Sequence, residues 1–531
     1  MEKLMRSLKY LLAKSFALWN ILLSCFLLNF WAFITPAFEF PDEQGHIAMV
    51  QFMAEQDRLP VGKELDLSQE LKYTEDLLGT FRDTHGNNSY TYHPDYHVEY
   101  TGSLLGKYEA EIALLNTATY RRTNVWTEAA RYPRLYYDYE SIWYKLAGTG
   151  DIILRTYVMR IGGLGLALLT AYVIYQVGIL IFAKKSYAVT LTMLVMLQPM
   201  YSFLSAGVNS DNLHNLIFAA VLYCCIKIIK NGNSPKLLVG TAVLVGLDIM
   251  SKPQGFVGIP IIISAILINF IQTKRWRLIA ILAAIGMGLV IFAFSPWNPY
   301  REWINPVTIH NSNLLEFIKF SANKLISQNI VWYWGVFKWL GMVLPPMYWQ
   351  VANRIVLTAA LGLFVYLWKV ITKRKIVANP AITLFLLLAT IVYIGAIYWF
   401  DWQFTKKIGY SLGIQARYFF PTISAQMALL MIGILSLGWN AKIRTWLRCG
   451  LVLFIVWMQL GGLWRLITSY YDVSSVQTFI TQASQYKPAF AKGDWWYLWS
   501  GLYIVSILYL TYLGMVGIKA KKKSFLDRRK L

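Results

Sequence analysis

Two adjacent acids and a histidine stand in "PDEQGH": Asp42, Glu43 and His46. If a helix begins there, His46 lies one turn after Asp42 on the same face. A carboxylate so placed can take a proton from a hydroxyl, given a suitable pKa. The plainer alternative is a pair of solvated loop charges. Further polar clusters follow in "VNSDNLH", with Asn209 and Asp211, and in "MSKPQG", with Lys252. "QARYFFP" adds Gln415, Arg417 and Tyr418. Asp211 could equally cap the helix that follows it. Asp248 precedes Lys252 by one turn, so a local ion pair is the simple expectation there.

The elements that carry these residues are membrane helices. The chain of 531 residues is 56% hydrophobic and 16% aromatic, with a mean hydropathy of +0.43. Soluble domains are roughly 45–50% apolar. Apolar runs long enough to cross a bilayer recur along the chain, and the first is too long for a signal-peptide core. Cys25, Cys224, Cys225 and Cys449 fall inside apolar runs without zinc or disulfide spacing. The net charge of +22 does not imply nucleic acid. It is spread over short connections such as Lys184 and Lys185, Lys274 to Arg277, and Lys373 to Lys375. All of these fall on one side if the chain crosses about twelve times, as the positive-inside rule requires. On that side only Glu2 and Asp527 are acidic.

The expected fold is an all-α polytopic bundle with spans near 14–37, 152–182, 187–208, 213–229, 237–251, 255–272, 278–296, 351–371, 380–400, 420–438, 449–467 and 497–518. It divides into an N-terminal tail and first span (1–37), a large outer loop (38–150), spans two to seven (151–296), an outer loop (297–350), spans eight to twelve (351–518) and a basic tail (519–531). Both termini are then cytoplasmic. The long loop 38–150 is of a kind that is usually functional. It holds a helix-like "DLSQELKYTEDLL" and a segment ending "RYPRLYYDYESIWYKLAG", which has the composition of an interfacial helix. Residues 325–349 are apolar enough to span, but a crossing there would invert every later basic loop. An interfacial or re-entrant helix is expected instead.

A long outer loop after helix one, with an Asp-Glu pair at its start, resembles the GT-C glycosyltransferases, membrane enzymes that use polyprenyl-phosphate sugars. More closely, "PDEQGH", "VNSDNL" and "QARYFFP" look like the motifs of a bacterial membrane-protein family grouped with them. That family shows Pro-Asp-Glu-x-x-His, Asn-x-Asp and Gln-Gly-Arg-Tyr-x-x-Pro. Pro41, Asp42, Glu43 and His46 match the first, Asn209 and Asp211 the second, and Gln415, Arg417, Tyr418 and Pro421 the third, with Ala416 in place of glycine. The resemblance implies that Asp42 is the catalytic base, with Glu43 its rival and Asp211 assisting. It implies Arg417 first and Lys252 second for the donor phosphate, and substrate contacts for His46, Asn209, Gln415 and Tyr418. It also implies a polyprenyl-phosphate-sugar donor, an envelope glycan or lipid acceptor, and an inverting transfer on the outer face of the cell membrane. No cofactor is certain, although carboxylates and water could hold Mg²⁺ or Mn²⁺.

Other features have plainer readings. His93, Asp95 and His97 in "YHPDYH" lack a third strong ligand at zinc spacing. Arg155 and Arg160 suit snorkelling residues. The tyrosines of "RYPRLYY" fit sugar stacking or an interfacial belt equally. Absence of a nucleotide-binding loop argues against cytoplasmic nucleotide sugars. The rival function is a transporter or flippase for lipid-linked saccharides. Such proteins place ionisable groups near the bilayer midplane, whereas here they gather at span ends. A non-catalytic role in envelope assembly is a third reading.

Overall fold

The computed structural model describes residues 29–61, 66–81, 97–115, 122–126, 129, 132–295 and 313–516. Most of the expected first span, His93 and Asp95, the "SPWNPYREWINP" loop beyond Ser295 and the basic tail lie outside the described residues.

Helical residues 29–34 end at a turn and lead into α1, Glu43–Gln56. Then come β1 (Asp66–Ser68), α2 (Gln69–Leu78), α3 (Glu109–Leu114), β2 (Arg122–Trp126) and α4 (Leu135–Leu146). The long helix α5, Ile152–Phe182, is followed by α6, Lys185–Met196, and α7, Pro199–Ala206. Next are α8 (Asp211–Asn231), α9 (Pro235–Ser251), α10 (Gly258–Gln272), α11 (Trp276–Phe294) and α12 (Leu314–Lys324). A hairpin of β3 (Val336–Phe337) and β4 (Met342–Val343) precedes α13, Pro346–Ile371, and α14, Pro380–Ile408. A 3₁₀ turn, Ala416–Thr422, opens into α15, Ile423–Ser436, and α16 (Ala441–Tyr470), α17 (Val476–Ala483) and α18 (Trp495–Val516) complete the described chain.

Among the described residues, 8 helices are long and apolar enough to cross a membrane, or 9 with the bent pair α6 and α7 as one span. The expected span 187–208 is that pair, broken by 68°. Pro199 starts the second piece, and the Gln198 side chain caps it by accepting from the Tyr201 N–H. Residues 325–349 hold no continuous helix. A π turn (Leu325–Asn329), a short helical piece and the hairpin break the segment before α13. Helix α14 runs eight residues past the expected end at 400, and Asp401 on it accepts from Leu412 N–H and Ser411 Oγ at 2.7 and 2.8 Å. Those bonds fold the return loop so that it delivers the 3₁₀ turn beside α14.

Local signals account for the element ends. Ser68 caps α2 through the Leu71 N–H, and Gly79 closes it with φ 71. Asp151 caps α5 through Leu154 N–H at 2.8 Å. Helices α13 and α15 meet at two glycines; a Cβ on Gly433 would stand 2.1 Å from the Ala359 carbonyl oxygen, so only glycine allows that approach. Helix α4 presents Tyr136, Tyr137, Glu140 and Tyr144 inward and packs on α1 and α5, so the outer loop is tied to the bundle.

Candidate active site

Three acids leave the loop after the first helix in different directions. Glu39 accepts from Tyr470 Oη at 2.7 Å. Glu43 is gripped by Arg160, Nε to Oε1 at 2.8 Å and Nη2 to Oε2 at 2.7 Å, with both side chains 0% exposed. Arg160 also donates to the carbonyl of Ala32, in the last turn of the first helix, and to those of Thr35 and Pro36 just beyond it. Arg160 is therefore a buried clamp and not a snorkelling residue. Arg155 is likewise buried, bonded to Tyr144 Oη at 2.7 Å and Glu70 at 3.2 Å.

Asp42 is the acid of the pair that stays open. It is the N-cap of α1, but φ 59 and ψ 14 put it in the left-handed region and its side chain makes no capping bond. The carboxylate, 32% exposed, pairs instead with Arg417. Asn209 holds the second motif against the first: its Nδ2 donates to Pro41 O at 3.0 Å while its Oδ1 accepts from Asp211 N–H at 2.8 Å. The N-cap of α8 is Ser210, not Asp211, and it makes no side-chain capping bond. That leaves the Asp211 carboxylate to pair with Lys252. The expected local pair of Asp248 with Lys252 does not form; Asp248 takes His214.

The three motifs therefore converge. The Lys252 ammonium lies 5.7 Å from the Tyr132 ring and 6.0 Å from the Tyr418 ring, and the Arg417 guanidinium 5.4 Å from Tyr418. His46 stacks between Tyr132 at 5.8 Å and Tyr137 at 5.9 Å, and its Nδ1 bonds Tyr137 Oη at 2.9 Å. Burial pushes His46 down from 6.5 to about 4, so it stays neutral among these charges. Gln415 is half-buried at the start of the 3₁₀ turn, where its carbonyl accepts from Tyr418 N–H at 3.0 Å.

The site has unmet capacity. Nε and Nη1 of buried Arg417 and Oδ2 of Asp211 have no hydrogen-bond partner among the described residues. Buried donors left so are costly, about 1–3 kcal/mol each. No group of three metal-ligating side chains occurs among the described residues, and both site aspartates already face a cation.

Tyr132, Tyr137, His214 and Tyr393 were not expected here in these roles. The signal for His214 was available, since ionisable residues inside apolar spans mark function. Nothing in the spacing pairs it with Tyr393, 179 positions away.

A family model for predicted membrane proteins, DUF2142, matches residues 25–425. The chain belongs to this family. No curated protein matches the sequence. Two similar solved structures are of ArnT from Cupriavidus metallidurans. The one bound to undecaprenyl phosphate is 13% identical with a TM-score of 0.38, covering 94% of this chain and 77% of ArnT. The apo state is 16% identical with a TM-score of 0.36, covering 92% and 75%.

Proposed function

We propose that this DUF2142 protein is a membrane glycosyltransferase that moves one sugar, with inversion, from a polyprenyl-phosphate donor to a hydroxyl of an envelope glycan or lipid. In this reading both termini are cytoplasmic and the site faces outward. One observation carries it: Arg417 holds Asp42 through one nitrogen and keeps two buried N–H groups unmet. Nε and Nη1 stand on different edges of the guanidinium, so a phosphate oxygen can take a charge-assisted bond from one of them while Nη2 keeps Asp42. One side chain then positions both base and leaving group.

Asp42 takes the proton of the acceptor hydroxyl as its oxygen bonds the anomeric carbon from the face opposite the phosphate. The carbon–oxygen bond to phosphate breaks, and its electron pair leaves on the phosphate, held by Arg417. Lys252 offsets Asp211, so that acid does not repel the donor. Neutral His46 adds no rival cation. A Mg²⁺ or Mn²⁺ ion would have to displace Arg417 or Lys252 from the aspartates, so no step is routed through a metal.

The transporter reading finds one feature in its favour, the broken helix between α6 and α7. The side chains bonded around that break, Gln198, Ser202 and Gln459, are neutral, so they offer no charged midplane site.

Asp42→Asn keeps the size of the side chain and removes the base. Transfer in membrane vesicles, assayed with a panel of undecaprenyl-phosphate sugars, is expected to fall by roughly 10²–10⁴-fold with expression intact. Transfer at the parental rate by Asp42→Asn would remove Asp42 from this role.

A further inference from the structure

Behind the candidate active site lies a second polar group that none of the proposed steps uses. His214, one turn after Asp211 on α8, places Nδ1 2.7 Å from Asp248 Oδ1 and Nε2 2.9 Å from Tyr393 Oη. The three side chains come from α8, α9 and α14, and all are buried. With Tyr393 donating to Nε2, the ring proton sits on Nδ1 and points at Asp248. This tautomer satisfies both ring nitrogens without adding a charge.

The arrangement explains an anomaly of pairing. Asp248 and Lys252 have the spacing and order, acid before base by four, that favour an ion pair on a helix. Lys252 nevertheless crosses to Asp211, 41 positions upstream. Two features divert it. Pro253 restricts the residue before it to extended backbone, and Lys252 has φ −154 and ψ 140 at the C-cap of α9, turned out of the helical path. His214 meanwhile bonds Oδ1 of Asp248, the competing acid, and supplies its hydrogen-bonded partner, although Oδ2 stays unmet among the described residues.

We infer that Tyr393, His214 and Asp248 form a positioning relay that reserves Lys252 for Asp211 and so sets the charge presented to the donor phosphate. The consequence for the donor rests on the glycosyltransferase reading; the pairing itself does not. When His214 is lost, a buried carboxylate is left beside a lysine one turn away. Lys252 then swings to Asp248, and Asp211 stands uncompensated next to the phosphate position.

The test is a pair of variants with two readouts in lipid nanodiscs. In His214→Leu, a cryo-EM structure should show the Lys252 ammonium on Asp248, and binding of undecaprenyl phosphate should weaken by about tenfold, as for one lost charge-assisted contact. Adding Asp248→Asn removes the competing charge, so Lys252 returns to Asp211 and most of the binding recovers. A purely structural triad predicts the opposite, because a second broken member makes the protein worse. Tyr393→Phe, which keeps the ring, should show the same loss and the same rescue at smaller amplitude, and it serves where His214→Leu does not fold. Lys252 remaining on Asp211 in His214→Leu, or a weakened single variant whose binding the added Asp248→Asn does not improve, overturns the inference. If Lys252 moves but undecaprenyl phosphate binds unchanged, the relay stands and the donor reading of the site fails.

Discussion

Within five positions the loop after the first helix carries Glu39, Asp42 and Glu43, and each has its own partner: Tyr470, Arg417 and Arg160. Separate partners let like charges stand close together, and they also separate their tasks. Arg417→Lys replaces a fork by a point charge, so turnover on a polyprenyl-phosphate sugar at saturating acceptor should drop at least roughly tenfold, about 1.4 kcal/mol of barrier. A lysine variant with parental kinetics would shift the phosphate clamp to Lys252. Glu39 is the titrating member. Burial raises it from 4.5 to about 7, against the lowering pull of Tyr470 and Lys338. The folded protein therefore binds more protons than the unfolded chain between those values, and stability falls as pH rises from about 4.5 to about 7. Thermal inactivation in detergent across that window should show a shallower decline for Glu39→Gln. Equal slopes would exclude Glu39 as the source.

At the scale of elements, Glu43 and Arg160 are the joint between α1, the end of the first helix and α5. Glu43 Oε1 also accepts from Val208 N–H at 3.2 Å, which brings the α8 entry into the same joint. Removing one partner of such a pair leaves a buried charge unmet, at roughly 3–5 kcal/mol. Glu43→Gln should therefore lose monodisperse protein on size exclusion, while Asp42→Asn elutes like the parent. A well-folded Glu43→Gln that has lost transfer would instead make Glu43 the base. The two adjacent acids are thus separable by experiment, although the sequence alone makes them rivals.

Over the whole molecule, the basic connections predict which side each loop occupies. Reporter fusions at Lys185, Lys274 and Arg374 should read cytoplasmic, and a fusion at Lys407 exterior. The parity assumes that residues 325–349 do not cross: the helical path from Leu314 stops at Trp332, and the hairpin follows before α13. An exterior signal after Arg374 would require an extra crossing and invert the later half.

Helix positions were legible because hydropathy and length govern membrane insertion residue by residue; α5 occupies the expected 152–182. The motifs were legible as clusters of residue types at span ends. What the sequence left open was which charge meets which. Asp248 has Lys252 at ideal local spacing and yet takes His214; Asp42 and Glu43 are neighbours and yet bond Arg417 in the 3₁₀ turn and Arg160 in α5, far apart in the chain. Local spacing sets which pairs can form cheaply. In a buried, low-dielectric interior the choice among them depends on which partners the packing of α5, α8, α9, α14 and the 3₁₀ turn brings within bonding distance, and only the tertiary structure decides that.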